Sequence, residues 1–267
     1  MSSAAAYSGS VPEHYEEGLG PILFEPFARD LAKRLPVAAS DLLELACGTG
    51  RLTRHLLLRL PRGGSLSAID LNGDMLTVAR RVLPDPRIKW LEADAGALPF
   101  AEAAFDAVLC QFGLIFFPDR GAALREARRV LRPGGRLLLN TWGSMRHNPR
   151  AGIIADVLHE TMGAEAPDFL SVGPYSLYDE SEIYGLLEAA GFRNIRIEKV
   201  ALESSCSDPE ALIRGYVDGS PLGAYLDRKR TGLRADIREK LLAAYEAQAS
   251  AYGQRVPMRA LVAEGCK

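Results

Sequence analysis

Cysteine is scarce in this 267-residue chain, and its four copies, Cys47, Cys110, Cys206 and Cys266, stand far apart with no C-x-x-C pairing. That spacing excludes zinc-binding and disulfide frameworks as the basis of the fold, and no metal is expected. A dominant charge sign is missing too. The 32 Lys and Arg against 34 Asp and Glu leave a net charge of −2, which argues against a nucleic-acid partner. A basic run from Arg228 to Lys240 is interrupted by Asp236 and Glu239 and preceded by Asp227, so it reads as a solvated helix face. No long apolar segment or signal-peptide pattern is present, so no membrane association is expected and the location reads as cytoplasmic. What remains is 48% hydrophobic and 25% charged, enough to bury the core of one large domain or of one domain with an elaborated cap.

Against that plain background one stretch stands out, LLELACGTG from Leu42 to Gly50. Leu42, Leu43 and Leu45 suit a buried parallel strand, and Gly48 and Gly50 remove Cβ atoms where the chain must turn tightly beside a ligand. Leu52, Leu56 and Leu60 then recur at helical spacing, so the order is strand, glycine loop, helix. A second strand, Ser65 to Ile69, delivers Asp70 to its carboxyl end, where a carboxylate can accept from both ribose hydroxyls of an adenosyl ligand. The dinucleotide fingerprint G-x-G-x-x-G fails, because Thr53 stands where its third glycine belongs. Glu44, inside the first strand, is awkward near a pyrophosphate and useful near an ammonium group or a network that orients one. A cationic amino-acid ligand fits better than a phosphate.

Four motifs in order, ELACGTG from Glu44, AIDLNGDML from Ala68, EADAGALPF from Glu92 and LRPGGRLLL from Leu131, resemble the class I S-adenosylmethionine-dependent methyltransferases. The likeness is strongest to the small-molecule branch that includes the ubiquinone/menaquinone-biosynthesis C-methyltransferases. It implies an α/β, doubly wound, Rossmann-like fold: a seven-stranded, mostly parallel sheet with an antiparallel edge strand and a helical cap or insertion. It also implies S-adenosylmethionine as cofactor and S-adenosylhomocysteine as product. By that resemblance Glu44, Ala46, Gly48 and Gly50 line the methionine end and Asp70 binds the ribose. Leu71 and Met75 pack on the adenine, Asp94 and Ala95 meet its edge, and Gln111 faces the methionine moiety.

The chain divides into a leader over 1–10, an N-terminal region over 11–40, a cofactor-binding core over 41–145, and the rest of the sheet over 146–267. The leader is rich in Ala and Ser and reads as mobile. In the N-terminal region Phe24, Phe27, Leu31 and Leu35 form a helical stripe after a break at Gly20 and Pro21. It is either a helix packed on the sheet edge or a lid, carrying Tyr15 and His14, over the cofactor. In the last part, segments 146–178 and 201–254 read as insertions that build a substrate chamber, a dimer contact being the alternative. Asp179 is placed to cap a helix that Gly191 closes.

In a doubly wound sheet the ligand lies beyond the carboxyl ends of the strands, which selects Gln111, Phe112, Phe116, Trp142, Arg146 and His147 on the acceptor side. His147 and His14 are the candidate general bases, against the plainer alternative that each is a water-exposed residue. Phe116 and Trp142 can stack on a planar small-molecule acceptor or simply fill the core. Two other functions compete. A nicotinamide-dependent reductase finds a Tyr225-x-x-x-Lys229 pair, but far too late in the chain. A non-catalytic cofactor-binding module would bind without transfer.

Overall fold

The structure, a computed structural model, describes residues 8–252 and 255–267. Of the expected leader only residues 8–10 fall inside it. The chain opens with helix α1 (Val11–His14), runs through a π-helical segment (Tyr15–Phe24) and continues as α2 (Glu25–Lys33). The Gly20-Pro21 pair therefore does not break the helix. Proline has no N–H to donate, and the wider turn absorbs this: the Glu25 N–H reaches the Gly20 carbonyl, five residues back. Phe27 and Leu31 are fully buried by the stripe read from the sequence.

The core alternates strand and helix: β1 (Asp41–Leu45), α3 (Thr53–Arg59), β2 (Ser65–Asp70), α4 (Gly73–Val82), β3 (Ile88–Glu92), β4 (Phe105–Gln111), α5 (Arg120–Val130) and β5 (Leu131–Trp142). Four successive residues of β1, Leu42 to Leu45, are buried, which requires cover on both faces of the sheet. Beyond β5 follow α6 (Pro149–Met162), α7 (Phe169–Val172), α8 (Glu180–Ala189), β6 (Arg193–Ser205), α9 (Pro209–Val217), α10 (Leu222–Lys229), α11 (Leu233–Tyr252) and β7 (Arg255–Cys266). Asp179 caps α8 by accepting from the Ser181 N–H, and Gly191 follows its end at φ +88°.

The seven strands lie in the order β3-β2-β1-β4-β5-β7-β6, with only the pairs made by β7 antiparallel. The chain winds outward from β1 in one direction and from β4 in the other, so the crevice opens between their carboxyl ends. The second insertion is shorter than the sequence suggested. Residues 201–205 are strand, pairing Ala201 with Arg259 through to Ser205 with Arg255. The inserted helices α9, α10 and α11 begin only after that pairing ends. Helix α9 packs so closely on the π-helical segment that a Cβ on Gly18 would meet the Ala211 carbonyl oxygen at 2.3 Å. The basic run folds as ion pairs: Arg234 and Arg238 both reach Asp218, at 3.3 and 2.8 Å. Among the described residues no helix is long and apolar enough to cross a membrane.

Candidate cofactor and acceptor site

The glycine loop turns through left-handed backbone at Ala46 (φ +50°), Gly48 (φ +54°) and Gly50 (φ +84°). A Cβ built on Gly48 would meet nothing within 4 Å, so the space before it is open to a ligand. Asp70, at the end of β2, braces this loop. One carboxylate oxygen accepts from the Gly48 N–H at 2.8 Å and the other from the Asn72 N–H at 2.9 Å. Burial pushes the Asp70 pKa up, and the N–H groups of Asn72, Gly48 and Leu71 pull against it. A carboxylate in this position retains acceptor capacity for hydroxyl groups.

Around Asp70 the other expected cofactor residues converge at the ends of neighbouring strands. Leu71 is 47% exposed, an apolar surface left uncovered beside the loop, and Met75 and Ala95 are buried beyond it. Asp94 shapes the turn after β3 by accepting from the Gly96 N–H at 2.7 Å. Ala46, after β1, and Phe112, after β4, are both forced to positive φ, and a Cβ on Gly113 would strike the Ala46 side chain at 2.5 Å. Non-glycine residues strained in this way gather where two strand ends meet a ligand.

Glu44 works from behind the loop. It is 1% exposed and accepts from the Thr53 hydroxyl at 2.6 Å. Burial pushes its pKa up to about 8, the Thr53 bond opposing and the Asp70 charge adding to the effect. Thr53, which replaces the third glycine, thus ties α3 to β1. Burial likewise raises Cys47, and pushes Cys110 up to about 12, so both remain thiols that fill space.

In the N-terminal region α2 lies against β4, β5 and β6 of the sheet, while the segment before it lies over the glycine loop like a lid. It begins at α4, where the Gly9 N–H donates to Asp74 and Glu13 pairs with Arg81. It then crosses the loop: Glu16 accepts from the Thr49 hydroxyl at 2.6 Å, from Arg51 at 2.6 Å and from Arg54 at 3.0 Å. Glu25 adds contacts to Arg51 at 3.3 Å and to His55 at 2.8 Å. At the far end the Gln111 amide donates to the Phe24 carbonyl at 2.8 Å, so this side chain fastens the lid. The sequence reading missed Glu16, Thr49, Arg51 and Arg54. Only Thr49 and Arg51, polar groups inside a ligand loop, carried a hint in the sequence.

On the acceptor side Phe112 and Trp142 do not present free faces. Both are 3% exposed and stacked on each other at 4.1 Å. The lid covers them, with Phe24 5.6 Å from Phe112 and 5.8 Å from Trp142, and with Tyr15 stacked on Phe24 at 5.1 Å. Tyr175 lies 5.7 Å beyond Trp142. Phe116 is 38% exposed and makes no ring contact with this cluster among the described residues. Arg146 points to solvent. His147 ends the short Met145–His147 turn, which packs on β7. Its pKa is lowered by burial and then by the charges of Arg259 on β7, Arg146 and Lys199 on β6, which puts it on the antiparallel side of the sheet. His14 ends α1, inside the lid. Tyr225 and Lys229 both engage Glu165, far from the glycine loop, so they form no reductase pair. A cavity of about 500 Å³ between α6 and residues 163–171 contains none of the cofactor residues.

A methyltransferase-domain family matches residues 43–139, the segment that holds the loop and Asp70. The ubiquinone/menaquinone biosynthesis C-methyltransferase of Shewanella woodyi is 30% identical over 192 residues, 65% of this chain and 72% of that protein. The chain belongs to the class I S-adenosylmethionine-dependent methyltransferases. The corresponding enzyme of Hahella chejuensis is 42% identical over 106 residues, 38% of this methyltransferase but only 43% of its relative's length. In fold it is similar to phosphoethanolamine N-methyltransferase 2 of Haemonchus contortus in complex with phosphomonomethylethanolamine and S-adenosylhomocysteine. The TM-score is 0.60 and the identity 16%, over 96% of this chain and 56% of that one. S-adenosylmethionine is the family's cofactor, and the residues present fit it. The open space before Gly48, the partly used Asp70 carboxylate and the uncovered Leu71 offer room, a hydroxyl partner and an apolar face.

Proposed function

We propose that this methyltransferase moves a methyl group from S-adenosylmethionine to a small-molecule acceptor with a carbon, oxygen or nitrogen nucleophile. The observation that carries the reading is Asp70, braced by Gly48 and Asn72 at the crevice between β1 and β4 and roofed by a lid latched to the same loop. When bound, the cofactor supplies a methyl carbon made electrophilic by a positively charged sulfur. Asp70 holds the ribose, Leu71 and Met75 flank the adenine, and Asp94 and Ala95 meet its edge. Gly48 and Gly50 let the backbone run alongside. The protein's task in the transfer would be to align the acceptor with that methyl carbon and to exclude water. Phe24, Phe112 and Trp142 supply the dry wall on that side.

Where the acceptor must lose a proton, His14 is the better placed imidazole, since it rides on the lid while His147 sits with the β6 and β7 cations. The same reading takes the acceptor as a free small molecule, not a nucleic acid, with the chain working in the cytoplasm. A homodimer built on the inserted helices is compatible with it. Incubation with methyl-labelled S-adenosylmethionine and a panel of phenols, amines and enolisable ketones tests the proposal. Label transfer is expected with at least one class, and His14→Ala should slow transfer to the acceptors that lose a proton about 100-fold with cofactor affinity unchanged. Tight cofactor binding with no transfer to any class would instead favour a binding module.

A further inference from the structure

The inserted helices enclose a polar pocket that the cofactor cleft does not need. Leu23 of the lid, Trp142, Arg150 of α6, Tyr175, Tyr216 of α9 and Met258 of β7 converge on a cavity of about 10 Å³, room for one oxygen-sized group. Tyr216 is 5% exposed, and its hydroxyl has no hydrogen-bond partner among the described residues. Its neighbours are differently served: the Tyr245 hydroxyl donates to the Arg150 carbonyl at 2.8 Å, and the Arg150 Nε donates to the Ser204 hydroxyl at 2.7 Å. An unpaired phenol inside a protein carries a desolvation penalty with no return unless something arrives to pair with it. Burial raises the Tyr216 pKa, with the Arg150 charge opposing, so the group stays protonated and offers a donor. The buried Arg150 guanidinium makes the pocket favour an electron-rich partner.

We propose that this pocket is the polar subsite for the methyl acceptor and takes one carbonyl or hydroxyl oxygen of a small aromatic or conjugated compound, with the Tyr216 hydroxyl donating to it. The proposal rests on the reading above that the acceptor lies on the Trp142 side of the cleft. The aromatic wall sets the ligand class: Phe24, Phe112, Trp142 and Tyr175, packed on one another, form a continuous run of rings from beside Gln111 to the pocket. Leu23 is the lid's part of the wall, so the ligand body enters when that end of the lid withdraws.

The test uses the full chain loaded with S-adenosylhomocysteine, titrated with 2-naphthol and with naphthalene, in the native protein and in Tyr216→Phe. Native protein should bind 2-naphthol about tenfold tighter than naphthalene, and the variant should bind the two alike. Affinity for S-adenosylhomocysteine should be unchanged in Tyr216→Phe, and the melting temperature should be equal or higher, because the deleted hydroxyl carries a desolvation penalty and has no partner to lose among the described residues. A preference of equal size in both proteins overturns the proposal. So does failure of both probes to bind, or a preference unchanged in a variant whose melting temperature has dropped, which would make Tyr216 the holder of a structural water. Loss of S-adenosylhomocysteine binding by the native protein would refute the cofactor reading separately, leaving the naphthol preference to decide the subsite.

Discussion

At the scale of single residues the loop is governed by two carboxylates with different tasks. Asp70 faces the crevice and keeps acceptor capacity, whereas Glu44 is sealed beneath it, keeps its proton up to a pKa of about 8 and accepts from the Thr53 hydroxyl. The glycine pair and Asp70 were legible in the sequence because a ligand turn constrains residue type at fixed spacing. The use of Thr53 was not, since the missing glycine announces only what is lacking. Glu44 makes the sharper prediction. Its pKa is about 8 when folded against 4.5 for an unperturbed carboxyl, so between those values the folded chain holds a proton that the unfolded chain has released. The stability it contributes is present below the lower value and is lost as pH rises through the upper one. Thermal melts from pH 6 to 9 should therefore show the native protein losing about 2 kcal/mol or more relative to Glu44→Gln, whose amide can still accept from Thr53. Parallel curves for the two proteins would show that Glu44 is ionised in the folded state.

Among the elements, the lid decides how closed the cleft is. The helix that carries it followed from the apolar stripe of Phe24, Phe27 and Leu31, which left a sheet-edge helix and a lid as alternatives, and the contacts to the glycine loop did not follow from it at all. Glu16 and Thr49 are 33 residues apart, and polar contacts between distant segments leave no periodic trace. The same is true of the Gly18 approach to α9, a contact of two smooth surfaces invisible to any pattern of hydropathy. Side chains of Arg51 and Glu16 are only 10% and 13% exposed, so removing the carboxylate leaves a poorly solvated guanidinium with the residue-16 carbonyl oxygen at 3.0 Å and a longer contact to Glu25 in its place. In Glu16→Ala, amide exchange across the Tyr15–Phe24 segment should accelerate about tenfold or more while β1 and β4 keep their protection. S-adenosylmethionine should also dissociate faster. Unchanged exchange in the lid would mean that the packing on α9, not the charge cluster, holds it down.

For the molecule as a whole, the order β3-β2-β1-β4-β5-β7-β6 places the crevice, and that much was carried by four motifs in sequence order. The acceptor side was far less legible. Arg150, Tyr175 and Tyr216 come from three separate segments and meet beside Trp142, and convergence of that kind leaves no periodic trace. Phe112 and Trp142 were rightly placed at strand ends, yet the lid closes over both and makes them wall instead of platform. The central claim is that the crevice beside Asp70 is the seat of the adenosyl cofactor. Calorimetric titration of S-adenosylmethionine into the native chain and into Asp70→Ala tests it most directly. The account predicts one site per chain in the native protein and a loss of affinity of about 30-fold or more in the variant, the worth of a buried carboxylate bonded to hydroxyl groups. Equal affinity in the two proteins would contradict it.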